Sequence, residues 1–145
     1  MNRQAEVGAA DLAQSMVSFV RAFGLHRPEE TPCGEAIPVA EAHALLDLSG
    51  AGPMSHGQLA IRLRLEKSTV TRLVRQMEKR GWVERYGSNH DGRVMFVRLT
   101  RKGRGAARRL DEARRAKFER LLEAIPREKR PAVIKTLAIL RNAMD

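Results

Sequence analysis

Cationic and hydroxyl side chains recur at helical spacing between residues 67 and 80. When this segment is wound as an α-helix, a stripe about 100° wide is apolar and consists of Val70, Leu73, Val74 and Met77. The opposite face carries Ser68, Arg72, Arg75 and Lys79, with Lys67 and Thr71 on its flanks. Guanidinium and hydroxyl groups can hydrogen-bond to base edges, and cations can bind phosphates. The spacing therefore predicts a helix that packs on one side and contacts a DNA major groove with the other.

A solvated charged surface is the alternative for this helix, but exposed helices usually mix charges of both signs. Here the outward face carries three cations, and the one acid inside the helix, Glu78, lies near its end. The element before it begins with Ser55 and Gln58, spaced as a capping box in which each side chain bonds the other residue's backbone N–H. We therefore predict a helix-turn-helix, in which a short capped helix and a turn of three or four residues precede the recognition helix.

A β-hairpin is predicted directly after the recognition helix. Strand character is found in two segments, residues 82–85 and 94–99, and the stretch between them is rich in turn formers. Asp91 and Arg93 at the hairpin tip are spaced so that the acid can orient the guanidinium for insertion into a minor groove. An exposed turn with an incidental ion pair is the alternative, since such pairs contribute little. The position of the hairpin favours the DNA role, and His90 is a further candidate there.

The charge is unevenly distributed along the 145 residues. Residues 55–104 carry 13 basic and 4 acidic side chains, whereas residues 1–54 carry 3 basic and 7 acidic ones. A basic block in the middle of the chain indicates a polyanion partner, most often nucleic acid, rather than a solvated surface without a partner. The length predicts one compact domain.

Several classes of protein are excluded. Cys33 is the only cysteine, which excludes an internal disulfide framework and an all-cysteine metal site and favours a reducing compartment. No apolar run approaches the roughly 18 residues of a membrane span, and the N-terminal residues lack the layout of a secretory signal. We therefore expect a cytoplasmic protein without a membrane partner. Paired carboxylates, a nucleophile–base set and a phosphate-binding glycine loop are all missing, so we predict no enzyme, no catalytic residues and no cofactor.

Helices are predicted on both sides of the basic block, and the first and the last two of them are amphipathic. Their bounds are about 9–23, 39–48, from a Thr100 cap to 124, and 128–144. The long C-terminal helix has too little partner surface in a monomer of this size, so we expect two-fold pairing of chains. Pairing would place two recognition helices about 34 Å apart, for successive major grooves. The apolar positions expected at the dimer interface are Leu12, Met16, Phe19, Leu121, Leu122, Val133, Ile134 and Leu137.

Residues 55–104 resemble the winged helix-turn-helix of MarR-family transcriptional regulators. The segments that carry the resemblance are Ser55–Ala60, Glu66–Val74, Arg80–Arg85, Asp91–Arg93 and Leu99–Gly103. An Asp-x-Arg tip followed by a strand and Leu-Thr-x-x-Gly is fairly specific, whereas the helix-turn-helix pattern is shared by many families. The order of the flanking helices extends the similarity to nearly the whole chain.

The resemblance implies a mainly α fold (α+β winged helix) with about six helices and one β-hairpin wing. It implies a homodimer in which residues 1–36 and 105–145 form a helical dimerisation region and residues 37–104 bind DNA. The expected function is sequence-specific regulation, as a repressor, on a pseudopalindromic operator of double-stranded DNA. An architectural DNA-binding protein without an effector is the alternative. The residues expected at the DNA are Ser55, Lys67, Ser68, Thr69, Thr71, Arg72, Arg75, Lys79, His90, Asp91 and Arg93.

Family members are often released from DNA by a redox, metal or small-molecule signal. Cys33 lies among acidic residues in a loop, which disfavours a reactive thiolate, so we interpret it as a bystander. A zinc site would draw on His26, Cys33, Glu35, Glu41 and His43, which lie close together in sequence. The family's zinc sensors take further histidines from the long C-terminal helix, and this chain has none there, so no metal is predicted.

A small organic anion, such as an aromatic carboxylate, is the remaining signal. We expect it in a cleft between the dimerisation helices and the winged region. The side chains expected near it are Phe19, Phe23, His26 and His43, with Arg21 as a possible partner for the anion. Ordinary packing or surface exposure is the alternative for each of these residues.

Overall fold

A computed structural model describes residues 6–87 and 94–145 of the chain. Its helices are α1 (Ala9–Phe23), α2 (Val39–Ala51), α3 (His56–Leu63), α4 (Lys67–Lys79), α5 (Arg101–Ala124) and α6 (Arg130–Ala143), with a 3-10 turn at Arg127–Lys129. Its strands are β1 (Met54–Ser55), β2 (Val83–Gly87) and β3 (Met95–Leu99), in the antiparallel order β1-β3-β2. The predicted winged-helix class is confirmed, because the described residues are mainly helical and a small sheet follows the helix-turn-helix.

One hydrophobic core lies between α2, α3, α4, the sheet and the first half of α5. Its largest fully buried side chains are Leu45, Leu59, Met77, Leu110, Val70, Val74 and Val97. The four apolar residues predicted to face inward from α4 are all buried there. Ala106, Ala107 and Leu110 of α5 belong to the same core, so packing continues past residue 104, where the predicted DNA-binding region ends.

The sheet has three strands in the described residues, and the predicted hairpin accounts for two of them. Met54 of β1 pairs with Val97 of β3, and a two-residue strand has no periodicity from which it could have been predicted. Ser55 ends this strand and caps α3. The Gln58 N–H donates to Ser55 Oγ at 3.1 Å, and the Ser55 N–H donates to Gln58 Oε1 at 2.9 Å, which confirms the capping box.

Two helix bounds differ from the prediction. Helix α2 continues to Ala51, three residues beyond the predicted end at 48. It stops only at Gly52, which has a φ of 81° and donates its N–H to the Leu48 carbonyl at 3.1 Å. Helix α6 begins at Arg130 rather than near 128, with proline in its first turn, where a missing N–H costs no helical hydrogen bond.

A close joint connects the end of α4 to the start of α5. The Thr100 hydroxyl accepts from the Gly103 N–H at 3.1 Å and donates to the Gly81 carbonyl. Gly103 packs against the backbone of Trp82, and a β-carbon on Gly103 would lie 1.9 Å from the Trp82 carbonyl oxygen. Only glycine allows this approach, so the joint fixes α4 and α5 relative to each other.

The helices near the two ends of the chain contribute less to the core than α2, α3, α4 and α5 do. Helices α1 and α6 have no buried residues. Phe23 at the end of α1 contacts Phe118 of α5, with their ring centroids 5.7 Å apart. Asp145, after α6, forms an ion pair with Arg64 at the end of α3, at 2.6 Å. In the described residues no helix is both long and apolar enough to cross a membrane.

Candidate nucleic-acid interface

Helix α4 separates its apolar and cationic residues onto opposite sides. Val70, Val74 and Met77 are completely buried. The exposed residues of the helix include Lys67, Ser68, Arg72, Arg75 and Lys79. The apolar side fixes the helix on the core, so the exposed side chains project from a rigid element.

Three predicted DNA contacts are placed differently from the rest. The Thr71 hydroxyl donates to the Lys67 carbonyl within the helix, at 3.0 Å. Thr69 is half-buried, and the Ser55 hydroxyl accepts the capping hydrogen bond at α3. Thr69 and Thr71 can still offer a methyl group to a base, and the Ser55 hydroxyl oxygen still has a second lone pair for a hydrogen bond to DNA. Ser68, Arg72 and Arg75 are exposed, so their donors face solvent on the outer side of α4.

Helix α3 holds α4 through a tight turn. Leu59 of α3 is completely buried, and Arg64 ends the helix in a left-handed conformation with a φ of 53°. The Leu65 N–H then donates to the Ala60 carbonyl at 3.0 Å, and Glu66 caps α4. These local bonds set the angle between the two helices of the helix-turn-helix.

Ion pairs at the base of the wing were missed in the sequence. Arg98 lies 2.7 Å from Glu84 and its guanidinium stacks on the Tyr86 ring, 4.5 Å from the centroid. Arg85 pairs with Glu78 of α4 at 2.8 Å. Glu84 and Arg98 are cross-strand partners, so the register of the hairpin would have predicted their contact. These pairs compensate the charges of Glu78 in the recognition helix and of Glu84 in the wing.

The predicted contacts at the tip of the wing, His90, Asp91 and Arg93, lie outside the described residues. Their role at the DNA remains a prediction.

His56, the first residue of α3, carries a buried nitrogen. Its Nε2 has no hydrogen-bond partner in the described part of the chain. Burial lowers the pKa of His56, and the charges of Arg85 and Lys67 lower it further, while Glu78 opposes them. The imidazole is therefore neutral at pH 7, beside the cations of α4 and the wing.

A cavity of about 560 Å³ lies between α2, α5, the end of α1 and the loop that follows α1. Its lining is mostly apolar and includes Phe23, Leu25, Val39, Ala42, Leu46, Leu110 and Phe118. Two of the residues predicted near an effector, Phe23 and His43, line it. The cavity lies between the winged region and the terminal helices, where the cleft was expected.

The cations of the cavity come from α5 and not from α1. Lys117 donates to the Pro32 carbonyl, and its ammonium lies 4.9 Å from the centre of the Phe23 ring. Arg114 and Arg115 line the cavity beside Asp111, with which both form ion pairs. Arg21 and His26 are exposed and are not in the lining, which corrects their predicted placement. Arg21 precedes Phe23 by two residues, so the two side chains leave α1 on opposite sides.

Cys33 lines the same cavity and is half-buried, with its Sγ 3.0 Å from the Thr31 hydroxyl. Within residues 6–87 and 94–145, no group of three or more His, Cys, Asp or Glu side chains is arranged to hold a metal ion.

The eight positions predicted for dimerisation are all exposed in the single chain. Their exposed fractions run from 36% at Val133 to 67% at Ile134. Phe118 and Ile139 are further large apolar side chains on the same helices that are exposed to solvent.

Comparison with known proteins extends these observations. The model of the MarR family matches residues 37–95. The uncharacterised HTH-type transcriptional regulator ML2140 of Mycobacterium leprae (strain TN) is 30% identical over 140 residues, which span 94% of this chain and 87% of that protein.

Solved structures share the fold over the same length. FabT of Streptococcus pneumoniae, crystallised in complex with DNA, has a TM-score of 0.77 and 25% identity, and covers 94% of this chain and 97% of its own. The PcaV transcriptional regulator of Streptomyces coelicolor, crystallised with its natural ligand, has a TM-score of 0.74 and 17% identity, and covers 100% of this chain and 99% of its own.

Proposed function

The chain belongs to the MarR family of transcriptional regulators, and from that premise we propose that it is a homodimeric repressor that binds a pseudopalindromic operator. The observation that carries the proposal is the amphipathic α4, with four buried apolar residues and an exposed face of cations and hydroxyls. An architectural protein that reads only phosphates would need the cations but not this rigid placement beside a capped partner helix.

Base reading and phosphate binding are assigned to different residues of α4. Arg72 and Arg75 are exposed in the middle of the helix, where a guanidinium can donate two hydrogen bonds to a guanine. Lys67 and Lys79 lie at the helix ends, nearer to where the DNA backbone passes, and are assigned to phosphates. Arg93 is assigned to the minor groove, with Asp91 orienting it.

The dimer is proposed from the apolar side chains that the single chain leaves exposed. Apolar stripes on α1, the second half of α5 and α6 are partly open to solvent over their whole length. Each stripe would be covered by the same stripes of a second chain, as the isologous interface of a two-fold dimer requires. The pairing would place two α4 helices about one DNA turn, roughly 34 Å, apart.

An organic anion is proposed as the signal that releases DNA. The cavity is lined by Phe23 and Phe118 and is bordered by Arg114, Arg115 and Lys117. Apolar walls with a few cations suit an aromatic carboxylate. The PcaV neighbour was crystallised with its natural ligand, which is consistent with a ligand site in this fold.

Selection of bound duplexes from a random pool tests the DNA-binding proposal. We expect enrichment of two inverted half-sites whose centres lie about 10 base pairs apart, or a multiple of that spacing. Enrichment of A·T content without a defined motif would instead support the architectural alternative.

A thermal-shift series with aromatic carboxylates tests the effector proposal. Benzoate and phenylacetate should raise the melting temperature and release the selected duplex, because a ligand that binds the native state stabilises it. Benzamide and acetate are the controls, since each keeps only the ring or only the charge. If no aromatic acid shifts the melting temperature, an organic anion is not the signal.

A further inference from the structure

Glu41 is a buried acid that the DNA-binding assignment does not use. It lies in the first turn of α2, and only 5% of the residue is exposed. Burying a carboxylate costs free energy unless a cation compensates it. The question is therefore which cation compensates this carboxylate, and what the pair holds in place.

The compensating group is Arg80, the residue that ends the recognition helix. Its Nε lies 2.7 Å from Glu41 Oε2, and its guanidinium carbon lies 5.1 Å from the centre of the Trp82 ring. The Arg80 N–H also donates to the Gln76 carbonyl at 3.1 Å, as part of the end of α4. The side chain is thus held between a buried acid of α2 and a buried indole that begins the wing.

The carboxylate depends on this one charge. Oε2 lies in a close ion pair with the Arg80 side chain, and no other donor among the described residues reaches it. Burial raises the pKa of Glu41, and the charge of Arg80 offsets part of that rise. The buried pair of Glu41 and Arg80 adds little to the free energy of unfolding, but it restricts the positions that the Arg80 side chain can take.

Helix α2 also forms a wall of the cavity. Val39, Ala42, His43 and Leu46 line it, and Glu41 lies within the same turns of the helix. One rigid helix therefore contacts the cavity through these residues and the end of α4 through Glu41.

We propose that Glu41 is a positioning residue for DNA binding: its carboxylate holds Arg80, and through Arg80 the C-terminal end of the recognition helix, against the helix that lines the cavity. Glu41 itself is too buried to touch DNA. The inference rests on the proposed function and adds a connection between its two sites.

The substitution Glu41→Gln tests this role. We expect it to weaken binding to the selected duplex about three- to thirtyfold, the range found for residues that act through coupling. The melting temperature should stay the same or rise, because the amide removes the cost of a buried charge. Simple electrostatics predicts the opposite for DNA, because loss of an acid from a basic protein should tighten binding to phosphates.

Asp47→Asn is the matched control. Asp47 lies on the same helix and forms an ion pair with Arg62 of α3 at 3.5 Å. The Asp47→Asn variant therefore loses an acid–arginine pair that does not involve α4. Its affinity for the duplex should be unchanged or slightly higher. If Glu41→Gln binds as tightly as the wild type, or if both variants lose affinity equally, the proposal is wrong.

Arg80 provides the second variant, in case the Glu41 substitution does not fold. Arg80→Gln leaves the buried Glu41 without its cation and should therefore lower the melting temperature. The folded variant should bind the duplex more weakly without changing the slope of affinity against salt. A decrease of that slope by about 0.9 would show a lost phosphate contact instead, and would overturn the positioning role. Selection of no duplex at all would overturn the proposed function and this inference with it, whereas the outcomes above overturn the inference alone.

Discussion

The winged region and the terminal helices differ in how completely the single chain buries them. In the winged region every predicted core position of α4 is buried, and α3 begins at the Ser55 side-chain cap and ends at the left-handed Arg64. Helices α1 and α6 are equally well formed but bury no residue. The first region buries its apolar residues within one chain, whereas the second leaves apolar side chains exposed, which is typical of a protein interaction surface.

The border between these two regions lies inside one helix. The first half of α5 gives Ala106, Ala107 and Leu110 to the core, while Phe118, Leu121 and Leu122 of its second half are exposed. One continuous helix therefore belongs to both regions. The cavity and the Gly103 joint both lie on this helix.

The largest effect is expected from breaking the dimer. The double substitution Ile134→Asp/Leu137→Asp should leave the winged region folded but reduce operator affinity by about a hundredfold or more, because the two half-sites are then bound separately. The measurement is binding to the selected duplex together with the sedimented mass. Lys135→Asp, a polar position of the same helix, is the control and should remain dimeric. A double variant that stays dimeric with full affinity would place the interface elsewhere.

Substitution of two glycines in the first turns of α5 should change the free energy of unfolding in opposite directions. Gly103→Ala should lower the free energy of unfolding by about 1–3 kcal/mol or more, because its β-carbon has no room beside the Trp82 carbonyl. Gly105→Ala is the matched control in the same helix. Its β-carbon meets only the end of the Arg109 side chain at 3.8 Å, so it should stabilise by about 0.5–1 kcal/mol. Equal effects in denaturant unfolding would contradict the account of the joint.

The recognition helix should separate specificity from general affinity. Loss of a base-reading arginine, tested by Arg72→Ala and Arg75→Ala, should cost about 1–3 kcal/mol and relax one position of each half-site. Lys79→Ala should weaken all sequences alike and reduce the salt slope. Repeated selection with each variant is the measurement. If neither arginine variant changes the selected motif, α4 does not read the bases.

Substitutions in the wing should change DNA affinity less, and for Asp91 the direction of the change is not the one that its charge alone predicts. Arg93→Ala should weaken binding and flatten any preference for A·T-rich flanks. Asp91→Ala should also weaken binding, although it removes an acid, because the acid orients Arg93. The two losses should therefore be non-additive in a double-mutant cycle. Tighter binding by Asp91→Ala would show that the acid is incidental.

The smallest effect is on the pH dependence of stability. The pKa of His56 is lowered in the folded chain, so the unfolded chain binds a proton more readily as the pH falls. The neutral His56 therefore contributes fully to the free energy of unfolding above the ordinary histidine pKa of about 6.5. This contribution is lost as the pH falls toward the lower pKa that His56 has in the folded chain. Unfolding at pH 7.5 and 5.5 should show a smaller loss in His56→Gln than in the wild type. An equal loss in the two proteins would contradict this prediction.

Sequence reasoning succeeded where the signal was local and periodic. The stripe on α4, the Ser55–Gln58 capping box and the Thr100 cap were all predicted, because each depends on residues within one or two helical turns. Strand β1 and the pair of Glu41 with Arg80 were not. Both depend on contacts between residues about forty positions apart, which no spacing along the chain reveals.

The cavity also depends on contacts between residues that are distant in sequence, so it could be predicted only in part. Phe23 and His43 were expected near the cleft between the dimerisation helices and the winged region, and both line the cavity. Its cations were sought on α1, the nearest helix in sequence, and lie instead on α5. The sequence distance from Phe23 to Lys117 could be bridged only by knowing how α5 packs on α2.

Sedimentation equilibrium of the full chain tests the central comparison most directly. If the terminal helices are completed only by a second chain, the mass at micromolar concentration should be twice the 16.3 kDa of one chain, and it should stay so on dilution until the helical circular dichroism is lost. A stable, fully helical species of 16.3 kDa at that concentration would contradict the account, because the exposed stripes on α1, α5 and α6 would then need no partner.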